Sequence, residues 1–146
     1  MSQHPELGLD HQLCFSLYRA SRAVIRAYRP LLKGLGLTYP QYLVMIVLWQ
    51  ENEGLSVKQI GARLGLDSGT LTPLLRRLEA SGHITRSRDD ADERRAVITL
   101  TDAGRALQDD AASIPGELNR MYAACDVDAG DLKTQLDVLG EFLPSA

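Results

Sequence analysis

Hydrophobic positions recur at helical spacing along most of the chain, and strict alternation is confined to one stretch. Residues 1–9 show no periodicity and read as a mobile arm. From Asp10 the pattern predicts a long helix to Lys33, with Asp10 as its cap. Cys14, Leu17, Ser21, Val24, Ile25, Tyr28, Leu31 and Leu32 share one side of it. Arg19, Arg22, Arg26, Arg29 and Lys33 form a basic stripe roughly opposite, which reads as a solvated face. Gly34 and Gly36 end this helix. Thr38 caps the next, with Pro40 in the first turn, where a missing N–H does no harm. Tyr42 to Trp49 are apolar almost all round, as at the centre of a core. Ser56 caps a third helix with Val57, Ile60, Gly61 and Leu64 on one face. Gly61 is expected to admit a closely packed neighbour, and Gly65 to end the helix left-handed.

In the fourth helix, Leu66 to Glu79, the residues Leu71, Leu74, Leu75 and Leu78 fall at i, i+3, i+4 and i+7, and Asp67 or Ser68 can cap it. Alternation follows. His83–Arg88 and Ala96–Leu100 are β-branched and alternate apolar with polar, which predicts two strands. The tip between them, Asp89 to Arg95, is charged at every position except Ala91. Thr101 then caps a helix running towards Cys125, which Pro115-Gly116 must kink. Beyond the kink Leu118, Met121, Tyr122 and Cys125 make an apolar stripe, and a last helix, Asp128 to Leu143, carries Leu132, Leu136, Leu139 and Leu143.

Two short helices joined by Gly65-Leu66-Asp67, followed by a charged hairpin, make a winged helix-turn-helix. The expected class is mainly α with a small β-hairpin wing (α+β), as one domain over residues 1–146. Residues 10–54 supply dimerisation and core helices, 55–100 the winged helix-turn-helix, and 101–146 further dimerisation helices. The outer face of the fourth helix shows Gly69, Thr72, Pro73 and Arg76, with Arg77 beside it. A face that is small and polar, then basic, can enter a major groove; it also suits an ordinary amphipathic helix, and the flanking hairpin favours the first reading. The first and last helices present apolar faces that a compact winged helix cannot cover. A second copy covers them most simply, giving a two-fold dimer whose two reading helices address a palindromic site.

Composition changes this picture little. At 146 residues and 45% hydrophobic the chain can bury a core. No apolar run is long enough to cross a membrane and the first residues do not read as a signal peptide, so a cytoplasmic protein is expected. The net charge of −3 is unevenly spread: residues 55–100 carry 8 basic and 6 acidic groups, residues 101–146 carry 3 and 9. Attraction to DNA depends on local charge, so the acidic balance leaves nucleic acid open and predicts weak non-specific binding. The two cysteines, far apart and outside any CxxC pair, suit neither a metal site nor a secreted disulfide scaffold. No cofactor is expected.

Cys14 falls in the first turns of the long helix, where orphan N–H groups and the helix dipole favour a thiolate, the form that attacks a peroxide. A small buried hydrophobe is the competing reading. Tyr28 is a candidate partner for the sulfur, but fourteen residues of straight helix hold the two roughly 21 Å apart. An antiparallel pair of such helices can bring one chain's cysteine to the other's tyrosine. Core packing remains the other reading for Tyr28, Tyr39 and Tyr42.

The stretch LSVKQIGARLGLDSGTLTPLLRRLEASGHITR followed by DDADERRAVITLTDAGRAL resembles the MarR family of dimeric winged-helix regulators. Its most specific parts are the Asp92-Glu93-Arg94-Arg95 tip and the Leu100-Thr101-Asp102-Ala103-Gly104 junction. DHQLCFSLY from Asp10, AYRPLL from Ala27 and LTYPQY from Leu37 resemble the organic-hydroperoxide-sensing branch of that family, the OhrR repressors, as does LDSGTLTPLL. The resemblance implies a repressor, not an enzyme, in which Cys14 is the peroxidatic sensor and Tyr28 and Tyr39 bond it across the dimer, with Tyr18 a further neighbour. It implies a sulfenic acid that passes to a mixed disulfide with a small thiol or to a disulfide with Cys125 of the other chain. On DNA, Ser68, Thr70, Thr72, Pro73, Arg76 and Arg77 are the candidates for the major groove and its phosphates. Arg94, held by Asp92, is the candidate for the minor groove, and Arg86, Arg88 and Arg95 are candidates for phosphates. Expected partners are double-stranded DNA, a second copy, an organic hydroperoxide and a low-molecular-weight thiol. Two other functions stay open: a regulator released by a non-covalent small molecule, and a thiol peroxidase, for which no recycling CxxC is visible.

Overall fold

The computed structural model describes residues 3–51, 53–88 and 95–144. They form two compact units, residues 1–111 and 112–146, each described by itself. In the first, two short 3-10 turns, Pro5–Leu7 and Leu9–His11, precede α1 (Leu13–Lys33) and α2 (Tyr39–Trp49). Then come β1 (Leu55–Ser56), α3 (Val57–Leu64), α4 (Ser68–Ala80), β2 (Ile84–Arg88), β3 (Ala96–Leu100) and α5 (Asp102–Ala111). The second unit holds α6 (Ile114–Ala124) and α7 (Ala129–Phe142).

The first core is assembled around α2, whose sequence YPQYLVMIVLW contains no charge. Thr38 opens it with a capping box: its hydroxyl accepts the Gln41 N–H, and the Gln41 side chain accepts the Thr38 N–H. Tyr42, Val44, Met45, Val47 and Leu48 are buried along it. Ile60 of α3 and Leu71, Leu75 and Leu78 of α4 are buried with them. Ile84 and Ile98 bring in the sheet. That sheet has the antiparallel order β1-β3-β2, with Ile84 opposite Leu100, Arg86 opposite Ile98 and Arg88 opposite Ala96. β1 pairs Leu55 with Ile98 and Ser56 with Val97. Two residues are too few to alternate, so the sequence pattern did not reveal it.

The helix-turn-helix follows the expected local chemistry. Ser56 makes a capping box with Gln59. Gly65 closes α3 at φ 68°, the left-handed conformation that costs glycine little. Gly61 is buried, and a Cβ there would meet the Leu66 carbonyl at 2.5 Å and Leu71 Cδ1 at 3.2 Å. The turn itself, more than the second helix, is what requires a bare α-carbon.

Three expectations are corrected. α1 begins at Leu13, and Asp10 lies in the preceding 3-10 turn, so it is not the cap; Gln12 holds that place and makes no side-chain cap bond. The helix from Thr101 does not kink but breaks after Ala111, and Pro115 sits in the first turn of α6, where the N–H it lacks has no partner to lose. Cys125 caps the C-terminal end of α6 and is exposed, so it is no part of an apolar helical stripe. Within the segment read as a mobile arm, Pro5–Leu7 form the first 3-10 turn, and the second begins at its last residue, Leu9.

Helix propensity alone predicts that Gly61→Ala gains about 1 kcal/mol. The clash with the Leu66 carbonyl reverses the sign. Chemical denaturation is expected to show a loss of about 1–3 kcal/mol, the usual cost of overpacking.

Candidate nucleic-acid interface and thiol centre

The Asp67 carboxylate accepts the Thr70 N–H at 2.7 Å and caps α4. That bond, mainly through the Thr70 backbone, holds the Asp67 carboxyl below its ordinary value of 3.8. With Leu71, Leu75 and Leu78 turned into the core, Ser68, Thr70, Pro73, Arg76 and Arg77 are exposed on one outer surface. Thr72 differs from its expected part: half-buried, its hydroxyl donates to the Ser68 carbonyl at 2.7 Å and turns back onto the helix. Pro73, lacking an N–H, leaves the Gly69 carbonyl without its partner four residues on.

An open groove of about 1010 Å³ runs beside this surface, lined among others by Lys58, Gln59, Asp67, Ser68 and Arg95. Lys58 was not among the sequence candidates. Its signal was its place just inside the Ser56 cap, on the side that opens to the groove. Gln59 lies there too, but its side-chain oxygen is engaged by the Ser56 N–H at 2.9 Å. Arg86 is half-buried in β2, and its backbone N–H donates to Glu79 at 3.1 Å, tying the strand to the end of α4. Arg88 ends β2 and Arg95 precedes β3, both exposed. Asp92 and Arg94, with the rest of the tip from Asp89, lie outside the described residues.

Cys14 is the second residue of α1 and is exposed. Ser16 is the first residue there to reach a carbonyl of the helix start, that of Gln12 at 3.4 Å, so among the described residues the N–H groups around Cys14 have no such partner. The Gln12 side chain donates to the Glu6 and Gly8 carbonyls and does not cover them.

The structure brings two of the three candidate tyrosines together. Tyr28 and Tyr39 have ring centroids 4.7 Å apart, and Tyr42 lies 5.7 Å from Tyr28. Burial first, and then Tyr39, raises the Tyr42 phenol above its ordinary range. Tyr42 faces Trp49 edge-on at 6.4 Å. Tyr18 stands outside this cluster, 63% exposed, with the Arg22 guanidinium 5.6 Å over its ring. α1 is continuous through Pro30, so Cys14 and Tyr28 of one chain remain roughly 21 Å apart along it. Cys125 belongs to the other unit.

A family model for the transcriptional regulators SarA/Rot matches residues 26–111. Over 114 residues the chain is 61% identical to the HTH-type transcriptional regulator TtmR of Methylorubrum extorquens (strain PA1), covering 78% of this chain and 58% of TtmR. This chain therefore spans little more than half of that relative's length. The organic hydroperoxide resistance transcriptional regulator of Bacillus subtilis (strain 168) is 47% identical over 137 residues, 94% of this chain and 92% of that one. The structure of reduced AbfR bound to DNA matches at a TM-score of 0.76 and 37% identity, covering 96% of this chain and 95% of that one. A disulfide-formed structure of AbfR matches at 0.66 and 41%, covering 90% and 91%.

The Asp67 cap has a pH signature. A carboxyl lowered in the folded state stabilises it above the unfolded-state value, and that contribution fades as pH falls through the lowered folded value. Wild type is therefore expected to be more stable than Asp67→Ala at neutral pH. The gap should close as thermal melts are taken from pH 4 downward.

Proposed function

Because the chain belongs to the SarA/Rot-type, MarR-like winged-helix transcriptional regulators, we propose that it is a cytoplasmic redox repressor. As a homodimer it binds a palindromic operator, and an organic hydroperoxide releases it by oxidising Cys14. The observation that carries this reading is the placement of Cys14: an exposed thiol at the open start of α1, in a chain 47% identical to an organic hydroperoxide resistance regulator. Supporting a dimer are apolar side chains left exposed in both units, among them Leu13 and Leu17 of α1 and Leu132, Leu136, Val138 and Phe142 of α7. Since α1 holds Cys14 and Tyr28 apart within one chain, a partner's Tyr28 and Tyr39 are the ones that meet the sulfur, and Tyr18, one turn along α1 from Cys14 of its own chain, is the further neighbour.

In the reduced dimer, Ser68, Thr70, Pro73, Arg76 and Arg77 face the major groove and its phosphates, while Thr72 supports Ser68 through its bond to the Ser68 carbonyl. The wing carries Arg94, held by Asp92, to the minor groove, and Arg86, Arg88 and Arg95 to phosphates. The Cys14 thiolate attacks the peroxide oxygen; the O–O bond breaks, the sulfur becomes a sulfenic acid, and the protonated leaving group departs as an alcohol. A thiol then displaces water to give a disulfide. That thiol is Cys125 of the partner or a small cellular thiol. Loss of the thiolate–tyrosine bonds shifts the two reading helices, whose separation must match half-sites about one helical turn apart.

The decisive experiment is a gel shift on the DNA upstream of its own gene, with reduced protein and with protein given stoichiometric organic hydroperoxide. Binding that peroxide abolishes and a dithiol restores is expected; binding that peroxide leaves untouched overturns the redox reading in favour of a non-covalent ligand. Cys14→Ser is expected to bind the operator and ignore peroxide. Arg94→Ala should lose operator affinity with thiol reactivity unchanged. Mass spectrometry of the oxidised dimer is expected to find a Cys14–Cys125 crosslink; small-thiol adducts on Cys14 alone would remove Cys125 from the mechanism.

A further inference from the structure

We infer that Trp49 is a positioning residue that joins the tyrosine cluster to the reading head, through the hydrogen bond its indole N–H donates to the Gly104 carbonyl at 2.9 Å. The inference rests on the redox reading above, because its input is the cluster proposed to meet the sulfur. On that side the rings are contiguous: Tyr39 to Tyr28, Tyr28 to Tyr42, and Tyr42 edge-on to Trp49, the last residue of α2.

On the other side, Gly104 sits where α5 rests on the backbone that ends α4. Gly104 is buried, and a Cβ there would be driven into the His83 carbonyl. The Gly82 N–H donates to Glu79 and the His83 N–H to Leu78, so this turn is the end of the reading helix. Thr101 clamps it. Its N–H donates to the His83 carbonyl at 3.1 Å, and its hydroxyl donates to the Gly82 carbonyl at 2.6 Å while accepting the Gly104 N–H at 3.0 Å. Next to Thr101, Leu100 pairs with Ile84 at the root of the wing. One junction therefore fixes both the end of α4 and the base of the hairpin, and Trp49 is bonded to it from the core.

The junction also holds an unpartnered polar atom. His83 Nδ1 is buried there with no hydrogen-bond partner among the described residues, although buried polar atoms are nearly always paired. A rearrangement of the tyrosines that displaced the Trp49 ring would pull on the Gly104 carbonyl, and so on that turn.

Trp49→Phe keeps a ring against Tyr42 and removes only the N–H donor and the second ring. Three quantities are measured: Cys14 labelling rate, operator affinity of the reduced dimer, and operator affinity after stoichiometric organic hydroperoxide. Labelling should match wild type and reduced affinity should stay within about threefold, while the ratio of reduced to oxidised affinity falls about tenfold. A merely structural role would weaken both affinities alike, so a ratio equal to wild type overturns the inference. If Trp49→Phe does not fold, 3-benzothienylalanine at position 49 replaces the N–H with sulfur in a bicyclic ring of the same shape, with the same two outcomes. Wild type that peroxide fails to release overturns the redox reading and this inference with it. Wild type and variant released equally well overturn this inference alone.

Discussion

Leu71, Leu75 and Leu78 have no solvent exposure, and their burial fixes the roll of α4 about its axis. Each contributes about 1.5–3 kcal/mol, against roughly 0–1 kcal/mol for a surface ion pair. The exposed pairs of the chain, such as Arg63 with Glu51, adjust to the core and do not shape it. Once the leucine stripe is inside, Ser68, Thr70, Pro73, Arg76 and Arg77 have only the outside left. The composition of the helix's outer face is thus set by residues that never reach that face.

The same stripe explains how much of the fold was legible. A period of 3.6 over thirteen residues is a strong signal, and so were the caps: Thr38, Ser56 and Asp67 each accept the N–H three residues on. Where reading failed, a local preference met a competitor it could not see. Asp10 is a good cap by type, but Gln12 holds the cap place and Asp10 is drawn into a 3-10 turn. Pro115 was read as a kink because a proline inside a helix must bend it; the helix instead restarts one residue earlier, and the proline falls where it is harmless.

The candidate site was legible by residue type and less so by arrangement. Tyr28 and Tyr39 are eleven positions apart in sequence and meet as tilted rings 4.7 Å apart only because α1 folds back against α2, which no periodicity reveals. Tyr42 joins them as a buried phenol, and Tyr18, equally plausible by type, stays out with Arg22 over its ring. Thr72 looked like a free hydroxyl and is spent on the Ser68 carbonyl. Sequence gives the donors and acceptors of a surface, whereas their prior commitments are settled by backbone geometry.

The unbroken run of α1 from Leu13 to Lys33 has a genetic consequence. If the helix keeps each thiol from its own chain's Tyr28, the two halves of every sensing centre in the proposed dimer are inherited from different subunits. A subunit without Cys14 would still lend its tyrosines to a normal partner, leaving a mixed dimer with one working centre. A subunit without the tyrosines would disable its partner's cysteine and spare its own. In a mixed dimer with wild type the two kinds of loss-of-function allele would therefore each leave one working centre, and a cell carrying one of each would regain, in some of its dimers, a centre that neither allele can build alone.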